Sequence, residues 1–212
     1  MKSLRNISLL VVILLPIFYL AYKWNSFPED VPVHWNLKGE VDRYGSKFEI
    51  WILMLLPIFT YFIFWLIPKI DPKKRIREMG NKYEQLKFFM VAVTSVISIY
   101  FLYAIDKEKM INSEIMFVLI GFIFIILGNY LPSIKPNYFV GVRTPWTLEN
   151  NEVWRLTHRI AGKLFVALGI ITIILVLILP IETFFWFFFS LTMLIVIYLF
   201  WYSYQKFQEN NR

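Results

Sequence analysis

Apolar residues in this chain do not alternate with polar ones at the period of a half-buried helix or strand. They run in blocks of about twenty that are apolar on every face. Six stretches qualify: Leu4–Tyr22, Phe48–Ile67, Leu86–Ile105, Glu114–Leu131, Ile160–Leu179 and Thr183–Ser203. A hydrocarbon core about 30 Å thick needs about 20 residues at a rise of about 1.5 Å. Leu, Ile, Phe and Val each favour insertion by about 0.3–0.6 kcal/mol, and residues 116–127 are almost entirely of these types. The pattern predicts an all-α polytopic membrane protein with six transmembrane helices. The first stretch mimics a signal peptide, with Lys2 and Arg5 ahead of Leu9–Leu20. No small-x-small cleavage site follows in Phe18-Tyr19-Leu20-Ala21-Tyr22-Lys23, so it reads as a retained first helix.

Composition agrees: 58% of residues are hydrophobic and 17% charged, against about 25% charged in a globular domain. The net charge of +7 would suggest nucleic acid in a soluble protein. In a membrane protein it reads as cytoplasmic loops rich in Lys and Arg, so no direct nucleic-acid binding is expected. Of the 22 basic residues, sixteen fall on one side: Lys2, Arg5, Lys69, Lys73, Lys74, Arg75, Arg77, Lys82, Lys87, Lys135, Arg143, Arg155, Arg159, Lys163, Lys206 and Arg212. Six fall on the other: Lys23, Lys38, Arg43, Lys47, Lys107 and Lys109. This asymmetry predicts a membrane protein with both termini cytoplasmic.

The span interiors hold almost no ionisable side chain; Glu49, Glu114 and Lys163 lie at span ends. Proton-coupled transport needs such groups on its pathway, and so does intramembrane catalysis, so no enzymatic role is expected. Cysteine is absent and the two histidines, His34 and His158, are assigned to opposite sides, so neither a metal site nor a cofactor is expected. Pro16 and Pro57 free the carbonyls of Val12 and Leu53, which neighbouring helices are expected to satisfy. Thr60, Thr94, Ser95, Ser98, Thr172, Ser190 and Thr192 suit helix packing, and Asn129 beside Gly128 can bond the following loop.

Two connections are more than linkers. The extracytoplasmic loop, 23–47, has extended backbone before Pro28 and Pro32, a turn at Lys38-Gly39, and alternation of Val31, Val33 and Trp35 that predicts a short ordered strand. The cytoplasmic loop, within 129–159, carries too many apolar residues for a solvated linker and leads into an amphipathic helix capped by Thr147 or Asn150. Val153, Trp154, Thr157, Ile160, Ala161 and Leu164 form one face. Arg155, His158, Arg159 and Lys163 form a basic face that suits lipid headgroups or a partner. The loop 68–85 reads as a basic topology determinant.

At these residues a resemblance appears. Gly141-Val142-Arg143-Thr144-Pro145-Trp146-Thr147-Leu148, then Val153-Trp154, Thr157-His158-Arg159 and Gly162-Lys163, resemble the signature of the SdpI family, bacterial membrane immunity proteins against the sporulation-delaying-protein toxin. Pro28, Val31-Pro32, His34-Trp35, Gly39 and Tyr44 through Lys47 resemble the N-terminal domain of unassigned function that often accompanies it. Phe27 departs from the more usual Leu.

The resemblance implies protection against a secreted, membrane-active peptide toxin. It also implies a sensor role in which a small winged-helix repressor is held at the membrane. The implied toxin-facing residues are Pro28, Pro32, His34, Trp35, Gly39 and Tyr44; the implied structural or docking set is Asn129, Gly141, Arg143, Thr144, Pro145, Trp146, Thr147, Trp154, Arg155, His158 and Arg159. Arg143 is expected to pair with Glu149, Glu152 or a phosphate, and Trp146 and Trp154 to wedge the loop against helices. The division expected is 1–67, two spans with the outer loop, and 68–212, four spans with the signature loop. The alternative is a transporter built as a 3+3 inverted repeat, with Trp35-Asn36-Leu37 and Trp146-Thr147-Leu148 in corresponding places.

Overall fold

The computed structural model describes residues 2–107 and 111–210, with side chains from Leu4 onward. Lys109 and Arg212, both part of the charge asymmetry, lie outside the described residues, as does the side chain of Lys2. The elements are α1 (Lys2–Lys23), β1 (Asp30–Trp35), β2 (Val41–Ser46), α2 (Ile50–Ile70), α3 (Asn81–Asp106), α4 (Ser113–Tyr130), α5 (Pro145–Glu149), α6 (Asn151–Val176) and α7 (Ile181–Asn210). All but the short α5 among the helices are long and apolar enough to cross a membrane, six in the described residues. In lipid only a helix satisfies every backbone polar group within its own segment.

Two features differ from expectation. The outer loop holds a two-stranded antiparallel hairpin, not one strand. Its second strand, Val-Asp-Arg-Tyr-Gly-Ser, has no apolar alternation to announce it; its partner supplies the pairing. The amphipathic segment and the fifth span form one continuous 26-residue helix, α6. At about 1.5 Å per residue it is about 39 Å long, so it outruns a core of about 30 Å and its first turns carry the polar face.

The chain divides into two compact units interleaved in sequence: Met1–Ile63 with Lys87–Leu119, and Phe64–Leu86 with Ile120–Arg212. The first unit is built around Leu20, Phe27, Val31, Ile50, Met54, Leu102 and Ile105. Phe27, the departure from Leu, is buried in this core. Lys23 and Asp106 pair at 3.2 Å where α1 and α3 end. Both proline-freed carbonyls find hydroxyls on one face of α3: Ser95 Oγ donates to Val12 O at 2.6 Å and Ser98 Oγ to Leu53 O at 2.7 Å. The freed carbonyls are therefore satisfied by a neighbouring helix, as expected. Ser95→Ala and Ser98→Ala should each lower stability by about 1 kcal/mol in thermal unfolding in detergent. The double variant should show roughly the sum, because the two serines serve different carbonyls. Midpoints equal to wild type would show that water or another donor replaces the hydroxyls.

In the second unit the same logic recurs. Pro68 deprives Phe64 O of its helical donor, and Tyr83 Oη of α3 donates to it at 2.8 Å. The core comprises Leu131, Ile134, Trp154, Ala161, Leu168, Ile195 and Leu199. Helices α4 and α6 touch backbone to backbone where Gly128 meets Gly162; a methyl added to either would stand 2.7 Å from the other's carbonyl oxygen. Small residues allow this close approach in lipid.

The 68–85 connection is more ordered than its basic composition predicts. Asp71 is buried and accepts the Lys73 and Ile76 amides, while Arg77 Nε donates to Pro68 O at 2.7 Å. Its cations reach the signature loop. Lys82 Nζ donates to Ser133 Oγ at 2.9 Å, and Lys73 Nζ lies 4.6 Å from the Tyr138 ring centre. Lys135 bonds Glu78 at 2.7 Å; with Arg75 also present, it holds the Glu78 carboxyl below the usual carboxylate range.

Candidate functional site

The candidate residues gather in two places, one in each unit. In the second unit the segment 131–158 is a loop fastened by side chains. Asn137 is fully buried and uses both ends of its amide. Nδ2 donates to the carbonyls of Lys135 and Val140, and Oδ1 accepts the amides of Phe139 and Val140 at 2.8 Å each. This residue, not Asn129, organises the loop. Asn129 is exposed and bonds nothing among the described residues. Sequence reasoning missed Asn137, although an Asn after a Pro is turn chemistry, because its side chain can replace backbone partners.

The loop then turns at Gly141, whose φ is +118°. A Cβ there would fall far inside contact distance of His158 Nε2. His158 is buried, contrary to its expected place on the basic face. Four residues from Trp154, it shares that residue's face and stacks on its ring at 4.0 Å. Its Nε2 accepts the Val142 amide at 3.0 Å, and Nδ1 lies 2.9 Å from Trp154 O. Since the amide must donate, the imidazole is neutral with its proton on Nδ1. Trp154 Nε1 in turn donates to Ile134 O at 2.7 Å. Gly141→Ala should destabilise the protein by about 2 kcal/mol, from the positive φ and the crowding of His158. Thermal unfolding reads this; an unchanged midpoint would mean the loop relaxes freely.

Thr144 caps α5, its hydroxyl accepting the Thr147 amide at 3.2 Å, with Pro145 at the first helical position. Thr144 Oγ1 also meets Ser203 Oγ of α7 at 3.0 Å, and Thr147 Oγ1 donates to Val142 O at 2.8 Å. The cap of α6 is Asn150, whose Oδ1 accepts the Glu152 and Val153 amides; Thr147 does not serve there. Trp146 packs edge-on against Phe200 and tilted against Tyr204 of α7, at 4.8 and 5.0 Å. Arg143 bonds Tyr138 O rather than Glu149 or Glu152. Glu152 is held by Arg155 one turn along the helix. Arg159 and Lys163 are exposed.

In the first unit the hairpin turns tightly. Asn36 Oδ1 accepts the amides of Lys38 and Glu40 at 2.9 and 3.0 Å, and Gly39 takes φ +81°. Its tip is bonded to the start of α4: the Ile111 amide donates to Gly39 O at 3.0 Å and Ser113 Oγ to Leu37 O at 2.7 Å. Pro28 and Tyr44 are exposed and Pro32 is buried. His34 Nδ1 lies 2.6 Å from Asp42 Oδ1, both exposed. Beneath the hairpin is a cavity of about 220 Å³ lined by Pro32, Val33, Trp35, Arg43, Leu53 and Phe101 among others. Trp35 stacks at a tilt on Phe101, 5.4 Å between ring centres. Its indole Nε1 is buried and has no hydrogen-bond partner among the described residues. No three of His, Asp and Glu gather as a metal site among the described residues.

Six membrane-length apolar helices define the class: a multi-pass membrane protein, here with an ordered hairpin and a loop locked by buried polar side chains. Residues 133–203 match the model of the SdpI/YfhL protein family, and residues 11–58 match DUF1648, a domain of unknown function. The resemblance carried by the two loops is thus shown: the SdpI-family model matches the region of the cytoplasmic signature, and the DUF1648 model the region of the outer loop. It is similar to the immunity protein SdpI of Bacillus subtilis (strain 168), 24% identical over 174 residues covering 81% of each chain. No solved structure matches it.

The tripeptides that suggested an inverted repeat occupy unlike structures. Trp35-Asn36-Leu37 ends a strand and enters a turn, whereas Trp146-Thr147-Leu148 lies in α5.

Proposed function

We propose that this protein is a non-enzymatic immunity protein of the bacterial plasma membrane, both termini cytoplasmic, that protects its cell from a secreted, membrane-active peptide toxin. The reading rests on the similarity to a membrane immunity protein and on one observation in the first unit. The Trp35 ring lines a mostly apolar cavity, and its buried indole N–H has no partner among the described residues. An unsatisfied buried donor costs about 1–3 kcal/mol. A peptide that seats an apolar side chain in this cavity and turns the Trp35 ring so that its N–H meets a backbone carbonyl recovers that cost.

The hairpin faces outward in this reading, because the loop holding Lys38, Arg43 and Lys47 is less basic than the opposite connections. Residues 1–67 then receive the toxin and 68–212 carry the signature loop inside. A cytoplasmic repressor of the winged-helix type would meet the Arg143, Trp146 and Arg155 surface of that loop, where these side chains are exposed or half-buried. Signalling further requires that toxin bind two conformations with different free energy.

Expression in a toxin-sensitive strain lacking its own immunity gene tests the whole reading, with survival as readout. Survival no better than empty vector would end it. Trp35→Phe tests the cavity. It keeps a six-membered aromatic ring against Phe101 and removes the five-membered ring that carries the N–H, so the free protein should lose at most about 1–2 kcal/mol, the lost packing being offset in part by relief of the unsatisfied donor. Protection should fall so that about tenfold less toxin kills. Full protection by Trp35→Phe would remove the cavity from the mechanism.

A further inference from the structure

We infer that the groove between α4 and α6, at their loop-bearing ends, binds the headgroup of an anionic phospholipid. The groove has a volume of about 610 Å³; Asn129, Arg159 and Lys163 are among its polar lining residues and Gly128, Gly162 and Val166 lie on its apolar side. It lies beside the close contact of Gly128 with Gly162, both buried and both on its lining, where the two helices approach backbone to backbone.

The charge arrangement selects the occupant. Arg159 and Lys163 are four residues apart, hence on one face of α6, and both are exposed. Neither has an acidic or hydrogen-bonding partner among the described residues, while Arg155 one turn earlier is neutralised by Glu152. The exposed Asn129 amide adds a donor beside them. One turn deeper along α6 the lining becomes wholly apolar, at Val166, Ala167 and Ile170. Two unpaired cations and an amide next to an apolar trough match a phosphodiester with an acyl chain below it. Basic pockets between membrane helices hold anionic headgroups by this combination. A free phosphate would leave the trough uncovered. A zwitterionic lipid brings its own cation to compete with Arg159 and Lys163.

All of its lining residues lie within the second unit. The test uses the full-length protein in nanodiscs of phosphatidylcholine with increasing phosphatidylglycerol, reading the thermal unfolding midpoint. Wild type should be stabilised in a saturable way by phosphatidylglycerol. Inorganic phosphate at the same charge concentration should do nothing. The Arg159→Gln, Lys163→Gln double variant should need at least about tenfold more phosphatidylglycerol for the same shift. Arg159→Lys with Lys163→Arg, which keeps both charges, should behave as wild type and shows that the face tolerates substitution. Arg155→Gln should keep the wild-type lipid response. An unchanged phosphatidylglycerol dependence in the double Gln variant overturns the proposal, as does an equal response to inorganic phosphate. A soluble protein partner lost from the double Gln variant while its lipid response stays normal would also overturn it, assigning the face to that partner.

Discussion

Trp154→Ala is expected to cost about 3–5 kcal/mol and to leave little folded protein at 37 °C. Trp154 is 2% exposed and sits in the core of the second unit with Leu131, Ile134 and Ala161. Truncation opens a cavity beneath the signature loop. It also orphans the carbonyl of Ile134, which the indole N–H satisfies at 2.7 Å, and removes the ring on which His158 stacks. A buried carbonyl without its donor adds about 1–3 kcal/mol. Trp154→Phe separates the two effects, because it keeps most of the packing and loses the N–H; it should cost about 1–3 kcal/mol. Thermal unfolding in detergent measures both. Equal midpoints for the Ala and Phe variants would show that the hydrogen bond to Ile134 dominates and that packing contributes little.

Gly39→Ala should produce the second large loss, in the first unit. A Cβ at this position would stand far inside contact distance of the Ile111 carbonyl oxygen; the oxygen is backbone and the Cβ is fixed rigidly to backbone, so neither can rotate away. Crowding against a side chain, as at Gly141, can be relieved by a small rotation; crowding against a carbonyl requires the hairpin tip to leave α4. The positive φ of +81° adds about 1–3 kcal/mol for any L residue. Departure of the tip breaks the Ile111 amide bond to Gly39 O and the Ser113 hydroxyl bond to Leu37 O, about 0.5–1.5 kcal/mol each. Faster hydrogen exchange at the Ile111 amide should accompany a lowered unfolding midpoint and reduced survival under toxin. Retained protection at Ile111 would mean that the hairpin carries no such attachment.

The six spans were legible because insertion depends on composition over about twenty residues, a property that needs no knowledge of neighbours. The proline kinks were legible in part. The freed carbonyls of Val12 and Leu53 follow from Pro16 and Pro57, but nothing local names Ser95 and Ser98, 83 and 45 residues away, as their donors. His158 shows a period read too loosely. Its offset of four from Trp154 places it on the buried face, yet its chemical kinship with Arg155 and Arg159 suggested the exposed one. Arg143 was expected to find a carboxylate or a phosphate, and it bonds a carbonyl five residues back in place of Glu149 or Glu152. The 68–85 connection looked like a solvated basic strip, because charge is visible in sequence and the buried Asp71 that orders it carries no periodic signal.

The sequence alone determined what depends on averages over many residues: that the chain enters lipid, how many times it crosses, and which connections are too apolar or too turn-rich to be linkers. Its loop motifs also marked the SdpI-family region. Tertiary structure decided what depends on single polar atoms finding partners. It selected Asn137 to shape the loop, gave His158 one tautomer between Val142 and Trp154, and left the Trp35 indole N–H without an acceptor among the described residues. The physical reason is range. Hydrophobic transfer sums along the chain, whereas a hydrogen bond exists only between atoms about 3 Å apart, and that distance is set by the fold.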